Sequence, residues 1–244
     1  MPNKSIDVVF LVDATGSMFE AIDGLKASIK NFFVYLTDTE RNAKSFQDWR
    51  AKIVGFRDVE ADEEWIVNNP FVTTREEVEE QLDALEAKGG GDEPEDLLDA
   101  LLVVANMDSP AERGGTADGF QWRHRRDAAR AIVAFTDATY HPNAKLPFNN
   151  NAAFDDVARV LDSQRVILEL VTPVTPFDDS VDPNVFRAMH EDLGSANRAE
   201  YLPLTNRQGS PMSFQDIPKN LDAFNQFMEQ LGKSISESID PVAL

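Results

Sequence analysis

The sequence predicts an α/β fold: a doubly wound, mainly parallel β-sheet with one antiparallel edge strand and helices on both faces. Three observations predict it. Short apolar runs of strand length alternate with segments of helical period along the chain. Residues 8–12 are continuously apolar, as expected for a parallel strand covered on both sides. Acidic and hydroxyl side chains gather directly after such runs, where open α/β sheets bind their ligands.

Residues 6–12 read as the first central strand. Met18, Ile22, Leu25, Ile29, Phe32 and Leu36 then recur at steps of four and three, which places them on one helical face. Residues 53–56 are a second strand. Residues 65–72, interrupted by Asn68, Asn69 and Pro70, fit an irregular edge strand, because proline cannot donate to a central ladder. Helices are expected over 76–85, 95–105, 154–161 and 184–193, and strands over 131–135, 166–171 and 201–204. Leu221, Phe224, Phe227, Met228, Leu231 and Ile235 mark a final helix. Alternating strands and helices imply right-handed crossovers. The stretch 108–126, glycine-containing with a basic end, reads as a surface loop, and 173–183 as another, rich in proline and aspartate. Residues 1–244 are therefore expected to form one domain with insertions at about 107–129 and 173–183.

Composition excludes several functions. A formal net charge of −20, from 43 acidic against 23 basic residues, argues against nucleic acid and against an anionic membrane surface. A solvated acidic surface accounts for most of that charge. With no cysteine, disulfides, thiolate metal sites and a cysteine nucleophile are excluded. The early apolar run is too short for a signal-peptide core and ends at Asp13. No stretch approaches the ~20 apolar residues that span a bilayer, so a cytoplasmic location is expected.

Three loops carry chemistry. Asp13-Ala14-Thr15-Gly16-Ser17 follows the first strand and offers a carboxylate and two hydroxyls at alternate positions. These are hard oxygens, suited to Mg²⁺, Mn²⁺ or Ca²⁺. The plainer reading is a capping box formed by Ser17 and Glu20, which needs no metal. Gly89-Gly90-Gly91-Asp92-Glu93-Pro94-Glu95 leads into a helix. There Asp92 and Glu95 fit a capping box with Pro94 in the first turn, but three glycines suggest backbone held close to a neighbour. Asp137, in Thr136-Asp137-Ala138-Thr139-Tyr140-His141, ends an apolar strand, where a carboxylate is costly unless solvated or paired. Its plainer reading is a turn aspartate. Thr136 could supply a supporting hydroxyl.

Together these loops resemble von Willebrand factor A domains. Asp13-Ala14-Thr15-Gly16-Ser17 is similar to their metal-ion-dependent adhesion site signature. Asp92-Glu93-Pro94-Glu95 followed by Leu97, Asp99 and Ala100 looks most like the A-like domain of integrin β subunits and its bacterial relatives. So does Trp122-Arg123 ahead of the strand that ends in Thr136-Asp137-Ala138 and His141. The resemblance implies that Ser17, Thr15 and Glu95 bind the metal, with Asp13 and Asp137 bound directly or through water. It also implies a second divalent ion near Asp92 and the Pro94 carbonyl, and a C-terminal helix that moves on binding. Gly90 departs from the pattern, which has asparagine there, and the paired aspartates after the serine-methionine step are missing. Asp58 and Glu60 are candidates to complete the second site.

The function expected is a metal-dependent protein-binding module that coordinates an Asp or Glu oxygen of a protein partner, without catalysis, nucleic acid or membrane insertion. Two alternatives are a metal-free scaffold of the same fold and a Mg²⁺-dependent phosphohydrolase using Asp13. Against the hydrolase, Thr15 stands where a second aspartate is usual, and Lys145 is the nearest candidate for its lysine. No phosphate-binding GxxxxGK[ST] loop occurs, nor a dinucleotide turn after the first strand. His124, His141 and His190 are scattered and read as structural or surface residues, not zinc ligands.

Overall fold

The computed structural model describes residues 5–38, 46–91, 94–173, 204–205 and 208–238. Strands β1 (Ser5–Asp13), β2 (Asp48–Phe56), β3 (Ile66–Asn68), β4 (Ala129–Phe135) and β5 (Val166–Val171) form one sheet in the order β3-β2-β1-β4-β5. All neighbours pair in parallel except β2 and β3, which are antiparallel. The predicted sheet, with its single antiparallel edge strand, is the one observed. Pro70 lies beyond the short edge strand, where no ladder bond is needed.

The helices are α1 (Phe19–Thr37), α2 (Arg75–Asp83), α3 (Leu97–Ala105), α4 (Phe154–Gln164) and α5 (Leu221–Ser238). Side chains alternate across β1, so Val8, Phe10 and Val12 face one core and Val9 and Leu11 the other. The first core holds the apolar faces of α1, α2 and α5, and the second those of α3 and α4. The six predicted positions of the first helix are all buried. In α5, Phe224, Phe227, Met228, Leu231 and Ile235 are buried, whereas Leu221 is exposed. Helices α1 and α5 approach closely: a Cβ added at Gly232 would lie 2.5 Å from the Phe32 carbonyl oxygen. No described helix is long and apolar enough to cross a membrane.

Two sequence expectations change. The stretch 108–126 is more than a surface loop. Trp122 is fully buried and its indole N–H donates to the Val104 carbonyl at 2.9 Å. Arg123 donates to buried Asp7 in β1, Nε to Oδ1 at 2.7 Å. The loop is thereby fastened to the lower end of the sheet. Helix α3 starts at Leu97, two residues later than its apolar pattern suggested. The helix expected at 184–193, most of the strand at 201–204 and the insertion beyond residue 173 lie outside the described residues.

Connections leaving β1 run to β2 on one side, while β4 pairs with β1 on the other. The crossovers therefore reverse between β1 and β4. Both strands end there with carboxylates just after them, in the crevice such sheets use for ligands.

Candidate metal centre

Asp13 closes β1 and is fully buried. Both its oxygens are used. Oδ1 accepts from the Thr15 amide at 3.0 Å and the Thr15 hydroxyl at 2.7 Å, and Oδ2 accepts from the Thr136 hydroxyl at 2.8 Å. Burial drives the Asp13 carboxyl above its ordinary range, against these hydrogen bonds and the charge of Arg57. Thr136, expected as a supporting hydroxyl, thus joins the β4 loop to the β1 loop.

Ser17 lies in a 3₁₀ turn, Gly16–Met18, and α1 begins only after it. Its hydroxyl makes no capping bond. It donates instead to Asp137 Oδ1 at 3.0 Å and lies 3.3 Å from the Thr15 hydroxyl. The capping-box reading of Ser17 and Glu20 is therefore replaced by a contact between the first and third loops.

The second loop is clamped to the third. The Glu95 amide donates to the Thr139 carbonyl at 2.8 Å, and the His141 amide to the Glu95 carbonyl at 3.1 Å. The Gly16 amide donates to the Gly89 carbonyl at 3.2 Å, joining the first loop as well. Gly89 and Gly90 have φ of 73° and 81°, which L side chains rarely adopt. A Cβ on Gly90 would lie 3.0 Å from Thr15 Cβ and 3.4 Å from Glu95 Oε1. The glycines thus admit the Thr15 and Glu95 side chains to a shared point. Because α3 starts after Glu95, this residue does not complete a capping box.

Glu95 is buried, and among the described residues its Oε2 has no hydrogen-bond partner. Burial, together with Asp13, Asp58, Asp96 and Asp137, pushes its carboxyl up to about 9. A buried carboxylate oxygen with no donor among the described residues, in a carboxyl raised by neighbouring carboxylates, is one that a divalent cation would complete. Ser17, Thr15 and Glu95 would hold such an ion, with Asp13 and Asp137 behind them. Asp92 lies outside the described residues.

Sequence reasoning missed Arg57 and Asp96 here, and weighed Lys145 only as the lysine of a hydrolase. Arg57, just past β2, is buried and donates to three carbonyls: Ala14 at 3.2 Å, Glu64 at 2.9 Å and Glu86 at 2.9 Å. It fixes the back of the first loop and places a cation behind Asp13. Asp96 and Lys145 belong to an adjoining cluster. The Lys145 ammonium lies 3.6 Å from Asp58 Oδ1, 3.1 Å from Glu60 Oε2 and 3.5 Å from Asp96 Oδ2. Asp58 and Glu60, candidates for a second ion, are thus held by a lysine. Burial would raise Asp58, but the Glu60 and Ala61 amides and Lys145 carry its carboxyl below its ordinary range. His141, expected to be structural or surface, joins this group: its Nε2 is 3.8 Å from Asp96 Oδ1. An apolar-pattern search finds no such contacts, because the partners lie on different loops.

Residues 7–112 match the profile of the von Willebrand factor A domain family. No curated protein sequence matches the chain. Among solved structures, the pilus adhesin SpaC from Lactobacillus rhamnosus GG is similar, at 11% identity and a TM-score of 0.58 over 97% of this chain and 31% of that one. Proximal thread matrix protein 1 from the mussel byssus matches at 16% identity and a TM-score of 0.59 over 96% of this chain and 49% of its own. A structure of that mussel protein with a zinc-occupied metal-ion-dependent adhesion site motif matches at 15% identity and a TM-score of 0.56, covering 93% and 48%. The chain spans less than half the length of each. At these identities the structures speak to the fold alone, and that fold agrees with the match of residues 7–112 to the von Willebrand factor A domain family.

Proposed function

We propose that the domain is a metal-dependent protein-binding module whose ion, Mg²⁺ by its hard-oxygen ligands, is held by Asp13, Thr15, Ser17, Glu95 and Asp137. The observation that carries this reading is the buried Glu95 Oε2, without a hydrogen-bond partner among the described residues, in a carboxyl that feels the charges of Asp13 and Asp137. When bound, the dication offers a coordination position that an Asp or Glu oxygen of a partner protein can fill. The chain's own residues do the rest. Asp13 and Thr136 lock the first loop, the glycines keep its approach open, and the amides of Glu95 and His141 hold the other two loops in step.

The same geometry favours binding over hydrolysis. A nucleophilic aspartate must present a free oxygen, whereas both oxygens of Asp13 accept hydrogen bonds and none of the residue is exposed. Lys145 is engaged by Asp58, Glu60 and Asp96. Mn²⁺ calorimetry tests the reading first: saturable uptake is expected in wild type and its loss in Ser17→Ala. Proteins retained on the immobilised domain should then leave with chelator and fail to bind Ser17→Ala. Retention indifferent to chelator would overturn the proposal, and aryl-phosphate turnover abolished by Asp13→Asn would replace it with the hydrolase.

A further inference from the structure

Beside the candidate centre, Asp58, Asp96 and His141 come together from three loops, each offering one ligand atom within 4.8 Å of the others. Asp58 follows β2, Asp96 precedes α3, and His141 follows β4. We propose that these three residues form a second, separate metal site that takes a transition-metal dication of the zinc class.

The orientation of Asp96 is the first support. It occupies the N-cap position of α3, where aspartate ordinarily accepts from the helix's own free amides, yet it makes no such bond. Its Oδ2 accepts instead from the Val59 amide at 2.7 Å and faces Lys145. Its Oδ1 points to His141 and has no partner among the described residues, although only 1% of the residue is exposed. A carboxylate oxygen in that state is costly unless a cation completes it.

The second support is His141. Its Nε2 is also buried and without a hydrogen-bond partner among the described residues. The gap of 3.8 Å between this nitrogen and Asp96 Oδ1 suits one ion reaching both at a bent angle, since zinc bonds to nitrogen and carboxylate oxygen run about 2.0–2.2 Å. Lys145 meets Asp96 at its other oxygen, Oδ2, and Asp58 at Oδ1. The loop carrying Lys145 is itself fixed: buried Asp99 accepts from the Lys145 amide at 2.6 Å and the Leu146 amide at 3.1 Å. Imidazole separates this site from its neighbour. The candidate centre offers hard oxygens alone and suits Mg²⁺, whereas mixed nitrogen and carboxylate ligands select borderline metals such as zinc.

The test is equilibrium dialysis of the whole chain against Zn²⁺ with excess Mg²⁺ present to fill the oxygen-only site, with retained zinc read by atomic spectroscopy. Wild type and Ser17→Ala are expected to retain stoichiometric zinc. His141→Gln and Asp96→Asn are expected to bind it about tenfold more weakly or not at all. Melting by circular dichroism verifies that each variant is folded; Asp96→Asn preserves side-chain volume, and His141 is partly exposed. Absence of zinc in wild type, or zinc lost in Ser17→Ala but kept in His141→Gln, would overturn the proposal. Because retained zinc reads this site and Mn²⁺ uptake by wild type and Ser17→Ala reads the first, failure of either site is distinguishable from failure of the other.

Discussion

The Ser17 hydroxyl donates to Asp137 Oδ1 across 120 residues of sequence at 3.0 Å, tying the loop after β1 to the loop after β4. This contact exists because β1 and β4 are neighbouring parallel strands that end at the same level. It gives the clearest lever on the candidate centre.

Mg²⁺ or Mn²⁺ at a hundredfold excess over its dissociation constant should raise the melting temperature of wild type by about 5–10 °C. Ser17→Ala should melt close to wild type in chelator and show no such rise. Differential scanning calorimetry with and without metal measures both. An equal rise in the variant would mean that the ion binds elsewhere.

Gly90→Ala should lose about 1–2 kcal/mol for its left-handed backbone, and should also lose the metal response. The added Cβ would press on Thr15 at 3.0 Å. Gly114→Ala is the control, since its φ is 76° but a Cβ there meets nothing within 4 Å. It should show comparable strain in urea unfolding and keep the full metal-induced shift.

Asp7 anchors the opposite end of β1. Its carboxylate accepts from Arg50 Nη2 at 2.7 Å and Arg123 Nε at 2.7 Å and is fully buried. Asp7→Ala leaves two guanidinium groups without their partner and should cost about 3–5 kcal/mol in urea unfolding. The metal-induced gain should survive in whatever fraction stays folded, because the site lies at the other edge of the sheet.

Lys52 predicts a pH dependence. It is buried in β2, with Nζ donating to Asn68 Oδ1 at 2.7 Å, and burial pulls its ammonium from its ordinary 10.5 down to about 7. Between those values the unfolded chain binds the extra proton, so this residue makes stability rise as pH climbs from about 7 towards 10.5. Lys52→Met should flatten that part of the profile in urea titrations at successive pH values. A profile unchanged by the substitution would show that the lysine stays charged when folded.

The sheet was legible because apolar runs and helical periods are local patterns, and β1 and α1 show them strongly. That the three loops carrying Asp13, Thr15, Ser17, Glu95 and Asp137 lie side by side was legible because each follows a strand or precedes a helix at one end of such a sheet. Arg57 and Asp96 were not, for a physical reason. Arg57 binds only backbone carbonyls, which any sequence supplies, and Asp96 resembles an ordinary helix cap until its actual acceptor role towards Val59 is known. Asp7 was open to notice, since its charge stands inside the apolar run of residues 6–12, where a buried carboxylate calls for a partner.

The parallel register of β1 and β4, with Val12 opposite Phe135, has a consequence for when the domain can work. A shift of one residue would displace one loop by about 3.3 Å and exchange the two faces of the strand. On the proposed function, competence to capture an ion would be a property of the finished sheet. A nascent or misassembled chain, or an excised Asp13–Ser17 peptide, carries the same oxygens without the ability to hold them together, so the proposed recognition of a partner would wait until assembly is complete.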